Sequence, residues 1–110
     1  MKTVTLGVEN MDAVFARARE AAKGKPQGAR ISFATPELLF RLLTTKRWEI
    51  VRAMTGAGPL SIRETARRVK RDVKAVHGDV HVLLNAGILR KTDGGIVFPF
   101  GRVDLMLKAA

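Results

Sequence analysis

Two apolar rhythms alternate along this 110-residue chain. MKTVTLGV alternates polar and apolar side chains, so Val4, Leu6 and Val8 share one face of a strand. Asn10 can cap a helix from Met11 to about Ala22, in which Val14, Phe15 and Ala18 form a modest apolar stripe. KGKPQG breaks the pattern as a turn or connection, and ARISFA reads as a second short strand. Thr35-Pro36-Glu37 then opens a helix: threonine accepts an orphan N–H, proline suits the first turn, and glutamate faces the positive helix end. Leu38, Leu39, Leu42 and Leu43 carry it to about Thr44.

Thr44 or Thr45 caps a further helix through Trp48, Val51 and Met54 to Thr55. GAGP ends it, and Leu60 follows in a position suited to a strand of one or two residues. Ser61 and Glu64 have capping-box spacing and open a short helix ending near Val69. Asp72 caps the next helix, which runs to about Ala86 before Gly87. On it Val73, Val76, Val80, Leu83 and Leu84 fall on one side, while Lys74, Gly78, His81 and Asn85 fall on another. Ile88 to Thr92 reads as a strand, Asp93-Gly94-Gly95 as a tight turn, and Ile96 to Phe98 as the returning strand. Pro99 marks its end, and Val103, Leu105 and Leu107 alternate in a last strand.

Helix, glycine break, short helix, three-residue turn, longer helix, hairpin: this order predicts a winged helix-turn-helix in an α+β chain. Residues 35–110 hold that domain. Residues 1–34 form an N-terminal strand–helix–strand extension that a minimal winged module does not need. Val4, Leu6 and Val8 have little beside them to cover their face, so the extension is expected to build a dimer or to receive a partner protein.

The charge pattern sharpens the functional expectation. The chain carries a net charge of +10, which attracts polyanions and says nothing about fold. Residues 46–110 hold thirteen Lys/Arg against six acids, and residues 1–45 hold seven against four. The densest cluster is Arg63, Arg67, Arg68, Lys70, Arg71 and Lys74, against Glu64 and Asp72. In a helix-turn-helix the second helix enters the major groove, its first turns nearest the bases. Lys74, His77, Gly78 and His81 are therefore the expected base contacts. Arg67, Arg68, Lys70 and Arg71 are expected on phosphates, with Arg90 and Lys91 on the hairpin, where they set affinity and position more than sequence preference. A basic run is often only a solvated face, and the coincidence with the element order favours the duplex. The valine stripe is core on either reading. Asp79 is expected to pair with a nearby arginine.

Other chemistries find little support. Without cysteine there is no disulfide, thiolate metal site or cysteine nucleophile. His77 and His81 are four apart, but two imidazoles make half a site and no further ligand stands nearby, so neither a metal nor a cofactor is expected. No phosphate-gripping loop, nucleophile elbow or paired acids point to an enzyme. Apolar runs are too short to span a bilayer, and the opening residues reach an acid too early for a secretory leader, so a cytoplasmic place is expected.

The run GPLSIRETARRVKRDVKAVHGDVHVLLNAGILRKTDGGIVFPF, Gly58–Phe100, resembles small prokaryotic winged helix-turn-helix regulators of the HVO_A0114-like kind, related to MarR and ArsR. The likeness extends upstream through FATPELLFRLLTTKRW, Phe33–Trp48, and loosely to the first strand and helix. It implies a dimeric transcriptional regulator binding double-stranded DNA, in some members an antitoxin that partners a small toxin and represses its own operon. It also implies that Arg71, Lys74 and His77 lie on the DNA side. Lys70 stands where such regulators commonly have glycine, and Gly78 where a longer polar residue is frequent. The competing reading is a winged-helix protein-interaction module, or an RNA-binding adaptor, without operator recognition. A docking helix should expose apolar or aromatic anchors, and the Lys74, Gly78, His81, Asn85 stripe has none.

Overall fold

The computed structural model describes residues 2–25 and 28–107. Of the KGKPQG connection, Pro26 and Gln27 lie outside the described residues. The elements are β1 (Thr3–Val8), α1 (Met11–Ala22), β2 (Ala29–Phe33), α2 (Pro36–Leu42), α3 (Thr45–Met54), α4 (Ile62–Val69), α5 (Val73–Asn85), β3 (Arg90–Thr92), β4 (Gly95–Val97) and β5 (Arg102–Met106). A strand–helix–strand segment leads, helices and a short hairpin follow, and β5 returns to the first sheet, in an α+β chain with winged helix-turn-helix topology.

The extension is finished by the far end of the chain. β1 lies between β2 and β5 in a parallel three-stranded sheet, with Leu6 opposite Ile31 on one side and Leu105 on the other. Side chains alternate across a strand, so Val4 and Leu6 share a face with Ala29, Ile31 and Val103. Helix α2 packs on that sheet with Leu39, the buried Leu43 follows at the helix end, and Val4 and Leu6 are wholly buried. This corrects the expectation that the β1 alternation lacks cover: the chain supplies its own. The last strand stops at Met106, leaving Leu107 beyond it rather than within it. Helix α1 buries none of its residues. It is held instead by Arg17, which pairs with Glu9, itself also bound by Arg30 at 2.8 Å.

Polar caps start each helix where the sequence places them. Asn10 accepts from the Ala13 N–H at 2.8 Å and Thr35 from Leu38 at 3.2 Å. Thr44, rather than Thr45, caps α3 through the Arg47 N–H at 3.3 Å. Ser61 accepts from the Glu64 N–H at 3.0 Å, which is half of a capping box. The reciprocal half is absent because the Glu64 carboxylate turns to arginines instead. Helices α3, α4 and α5 pack on one another around Ile50, Val51, Met54, Ala66, Val76, Val80 and Leu83.

The turn between α4 and α5 is strained by its composition. The Lys70 N–H bonds the Arg67 carbonyl at 3.2 Å and the Arg71 N–H bonds that of Ala66 at 3.0 Å, the two bonds of a Schellman ending. Such an ending wants its pivot in the left-handed region, and Lys70 is there at φ 56°, ψ 48°. A side chain in that region costs roughly 1–2 kcal/mol that glycine avoids.

The hairpin uses two turn residues, Asp93 and Gly94, between Thr92 and Gly95. It is shorter than the sequence suggests. Ile88 and Leu89 precede its ladder as buried core residues, and Phe98 leaves it to bridge Thr55. Leu60 exchanges both backbone hydrogen bonds with Ile96, at 2.8 and 2.7 Å, so the hairpin hangs on the residue next to the α4 cap. Gly95 makes that contact feasible. Its φ is 131°, and a β-carbon there would stand 2.6 Å from the Leu60 carbonyl oxygen. Beyond the hairpin, Phe98 is buried and meets Phe100 edge-to-face at 5.2 Å. The Phe100 carbonyl accepts from Gly56 and the Gly101 N–H donates to Lys2, both at 2.9 Å, which joins the helical layer to the sheet.

Two substitutions test this backbone account by urea denaturation. Lys70→Gly relieves the left-handed lysine and should raise stability by about 1 kcal/mol. Gly95→Ala must either push Leu60 away or break the Leu60–Ile96 pair, and should cost more than roughly 2 kcal/mol.

Candidate nucleic-acid interface

Helix α5 separates its sides as its sequence demands, with one exception. Val76, Val80 and Leu83 are buried, Leu84 is half-buried, and Lys74, Gly78 and Asn85 point to solvent. Val73, expected inside with the other valines, is instead 42% exposed. It occupies the first position of α5, ahead of the stretch that α3 and α4 cover. An exposed valine on the leading turn of such a helix has the chemistry to meet a thymine methyl group. Periodicity alone missed this, because it assigns an angle around the helix and not the point along it where packing begins.

Asp79 fixes the pose of α5. Its carboxylate accepts from Arg47 Nε at 3.0 Å and from Arg71 Nη2 at 2.9 Å. Arg47 also donates to the Leu42 carbonyl at 3.0 Å, so one guanidinium joins the end of α2, the start of α3 and the flank of α5. Burial would raise the Asp79 carboxyl, but the hydrogen bonds and charges of Arg71 and Arg47 outweigh it and hold it below the usual carboxylate range. The expected Asp79 ion pair is therefore present, twice over. Arg71, expected to reach phosphates, has a side chain only 16% exposed, and its guanidinium is committed to Asp79. Its position beside α5 is clear, and its freedom is not that of a surface arginine.

Arg67 and Arg68 are outward on α4 and both engage Glu64. Arg67 approaches it at 2.8 and 2.6 Å and Arg68 at 3.1 Å. The hydrogen bond from Arg67, then that from Arg68, pulls the Glu64 carboxyl down to about 2. The spacing i, i+3 and i, i+4 makes these pairs readable in the sequence. Lys70 is exposed at the turn, and Arg90 and Lys91 are exposed on β3.

His77 and His81 meet each other. Their Nε2 atoms are 3.1 Å apart and their ring centroids 4.2 Å apart. His77 is exposed, and His81 is half-buried beside it. Gly78 stands between them with open space where a side chain would project. Lys74, Gly78 and the histidine pair thus lie together on the outward side of α5, close in sequence to the basic turn. Among the described residues no group of three or more His, Cys, Asp or Glu is arranged to hold a metal ion, and no helix is long and apolar enough to cross a membrane.

The family model HVO_A0114 matches residues 42–105, well over half of the chain, from the end of α2 through most of β5. No curated protein matches the sequence.

The Asp79 network gives a pH-dependent stability with a definite sign. A carboxyl held low in the folded state stabilises the fold above its unfolded-state value, and that stabilisation is lost as pH falls through the folded-state value. The acid limb of a stability–pH curve, from about pH 5 downward, should therefore be flatter in Asp79→Asn. At neutral pH the same substitution should cost roughly 1–3 kcal/mol, measured by denaturant unfolding.

Proposed function

The chain belongs to the HVO_A0114 family, and from that premise we propose that it is a sequence-specific double-stranded DNA-binding transcriptional regulator. The observation that carries this reading is the outward side of α5. It presents Lys74, Gly78, His77 and His81, with Val73 as the one exposed large apolar side chain among the described residues of the helix, next to a turn bearing Lys70 and flanked by Arg67 and Arg68. Bases would be read by Lys74 and the histidines, with Val73 added, and phosphates by Arg67, Arg68, Lys70, Arg90 and Lys91. Arg71 would act mainly through Asp79, by setting the angle of α5. A duplex partner favours a place in the cytoplasm and a non-enzymatic role.

The regulator is proposed to work as a homodimeric repressor, related to the MarR and ArsR groups, because two-fold symmetry offers two reading helices to a palindromic site. A protein partner is favoured by a separate observation. Of eight exposed large apolar side chains among the described residues, seven (Met11, Phe15, Leu38, Phe40, Leu105, Met106, Leu107) lie on α1, α2 or the β5 end, and one, Val73, lies on α5. A second copy or a small toxin would cover them, so an antitoxin that represses its own operon joins both surfaces in one molecule. An interaction module without operator recognition would use only the second surface.

Fluorescence anisotropy across a salt series, with duplex from upstream of the gene and a scrambled duplex, tests the reading. Lys74→Ala should cost about 1–3 kcal/mol on the preferred duplex and little on the scrambled one. Glu64→Gln removes the carboxylate that competes with phosphate for Arg67 and Arg68, so binding to both duplexes should tighten. Gly78→Ala should raise stability by roughly 0.5–1 kcal/mol while weakening duplex binding, if the helix backbone approaches the DNA closely. Equal affinities for both duplexes at every salt concentration would remove operator recognition and leave the interaction module.

A further inference from the structure

We propose that His77 and His81 form a two-imidazole binding site for a single borderline transition-metal ion, of the Ni2+, Zn2+ or Cu2+ class, and that filling it lowers sequence discrimination by α5. The two Nε2 atoms stand 3.1 Å apart on consecutive turns of one helix. With metal–nitrogen bonds of about 2.0–2.1 Å, that separation corresponds to a nitrogen–metal–nitrogen angle of roughly 95–100°, between octahedral and tetrahedral values. The rings are tilted by 50°, and turning both nitrogen lone pairs toward one ion takes only rotation about outer side-chain torsions, which are soft. Water would supply the remaining ligands, since no further protein group converges there among the described residues. Sequence spacing alone left this pair as half a site; the 3.1 Å separation brings both nitrogens within reach of one ion. Hard, oxygen-seeking ions such as Mg2+ have no ligands of their kind at this pair.

The effect on DNA rests on the duplex-binding reading above. In the free protein the two rings share one hydrogen bond, so either must turn outward before its Nε2 can address a base. A bound ion locks the pair closed and takes both nitrogens. It also adds positive charge, which strengthens contact with any duplex. The quantity that isolates the lock is therefore the ratio of affinities for preferred and scrambled duplexes.

The chain has only these two histidines and no cysteine, so the untagged protein offers a clean background. The first measurement needs no DNA: thermal unfolding with Ni2+ or Zn2+ alone. An ion at several times its dissociation constant should raise the melting temperature by about 4–8 °C, and Mg2+ should not. His77→Gln at the exposed ring and His81→Gln at the half-buried one should each abolish the shift. No shift in the unmodified chain, or one that survives either substitution, overturns the site. The second measurement repeats the two-duplex anisotropy with Ni2+. The affinity ratio should fall at least threefold in the unmodified chain and stay constant in His77→Gln. A ratio that ignores the ion while the thermal shift is present overturns the coupling and leaves the site. Failure of the unmodified chain to bind any duplex without metal would instead count against the DNA reading, with the thermal result unaffected.

Discussion

A carboxylate withdrawn from most of its water must be answered by cations, and Asp79 is answered by two. Leaving such a charge unpaired is expensive, whereas satisfying it requires Arg47 and Arg71 to arrive together. Arg47 comes from the start of α3 while reaching back to the last carbonyls of α2. Arg71 comes from the turn before α5. The single carboxylate therefore holds α2, α3, the turn and α5 in one arrangement. The apolar stripe of Val76, Val80 and Leu83 provides the burial that keeps α5 in place. The ion pairs decide at what rotation and height it sits.

That arrangement divides the basic residues into two kinds. Arg47 and Arg71 are structural cations, largely enclosed and each paired with Asp79. Arg67 and Arg68 are surface cations, held only by a carboxylate that a stronger polyanion can outbid. The +10 net charge treats them alike, but their expected roles toward a phosphate backbone differ. Lys70 adds a third case. It occupies a left-handed position at a backbone cost and carries its charge exposed at the turn.

The sheet and the helical layer are joined where the chain returns to its beginning. β5 pairs with β1, and the Phe98–Gly101 segment bonds to Gly56 on one side and Lys2 on the other. The hairpin is tied in the same way, through Leu60 and Gly95. Each of these joints uses backbone groups or a glycine, so no side-chain pattern announces it.

Local rules were enough to read the elements. Caps at Asn10, Thr35, Thr44, Ser61 and Asp72 follow from side-chain oxygens meeting orphan N–H groups within three residues. Helix and strand rhythms follow from the pitch of each element. The basic turn and the polar side of α5 were legible for the same reason, whereas Glu64, read as the second half of a capping box, turns to Arg67 and Arg68. Long-range packing decided the rest: the cover over Val4 and Leu6, the exposure of Val73, the double partnership of Asp79, and the closeness of Leu60 to Gly95. These depend on which surfaces meet at sequence separations of tens of residues, where hydropathy is mute about partner and distance. The histidine pair lies between the two cases. Its spacing of four was visible in the letters, but the 3.1 Å between its nitrogens is a matter of side-chain rotation that only coordinates supply.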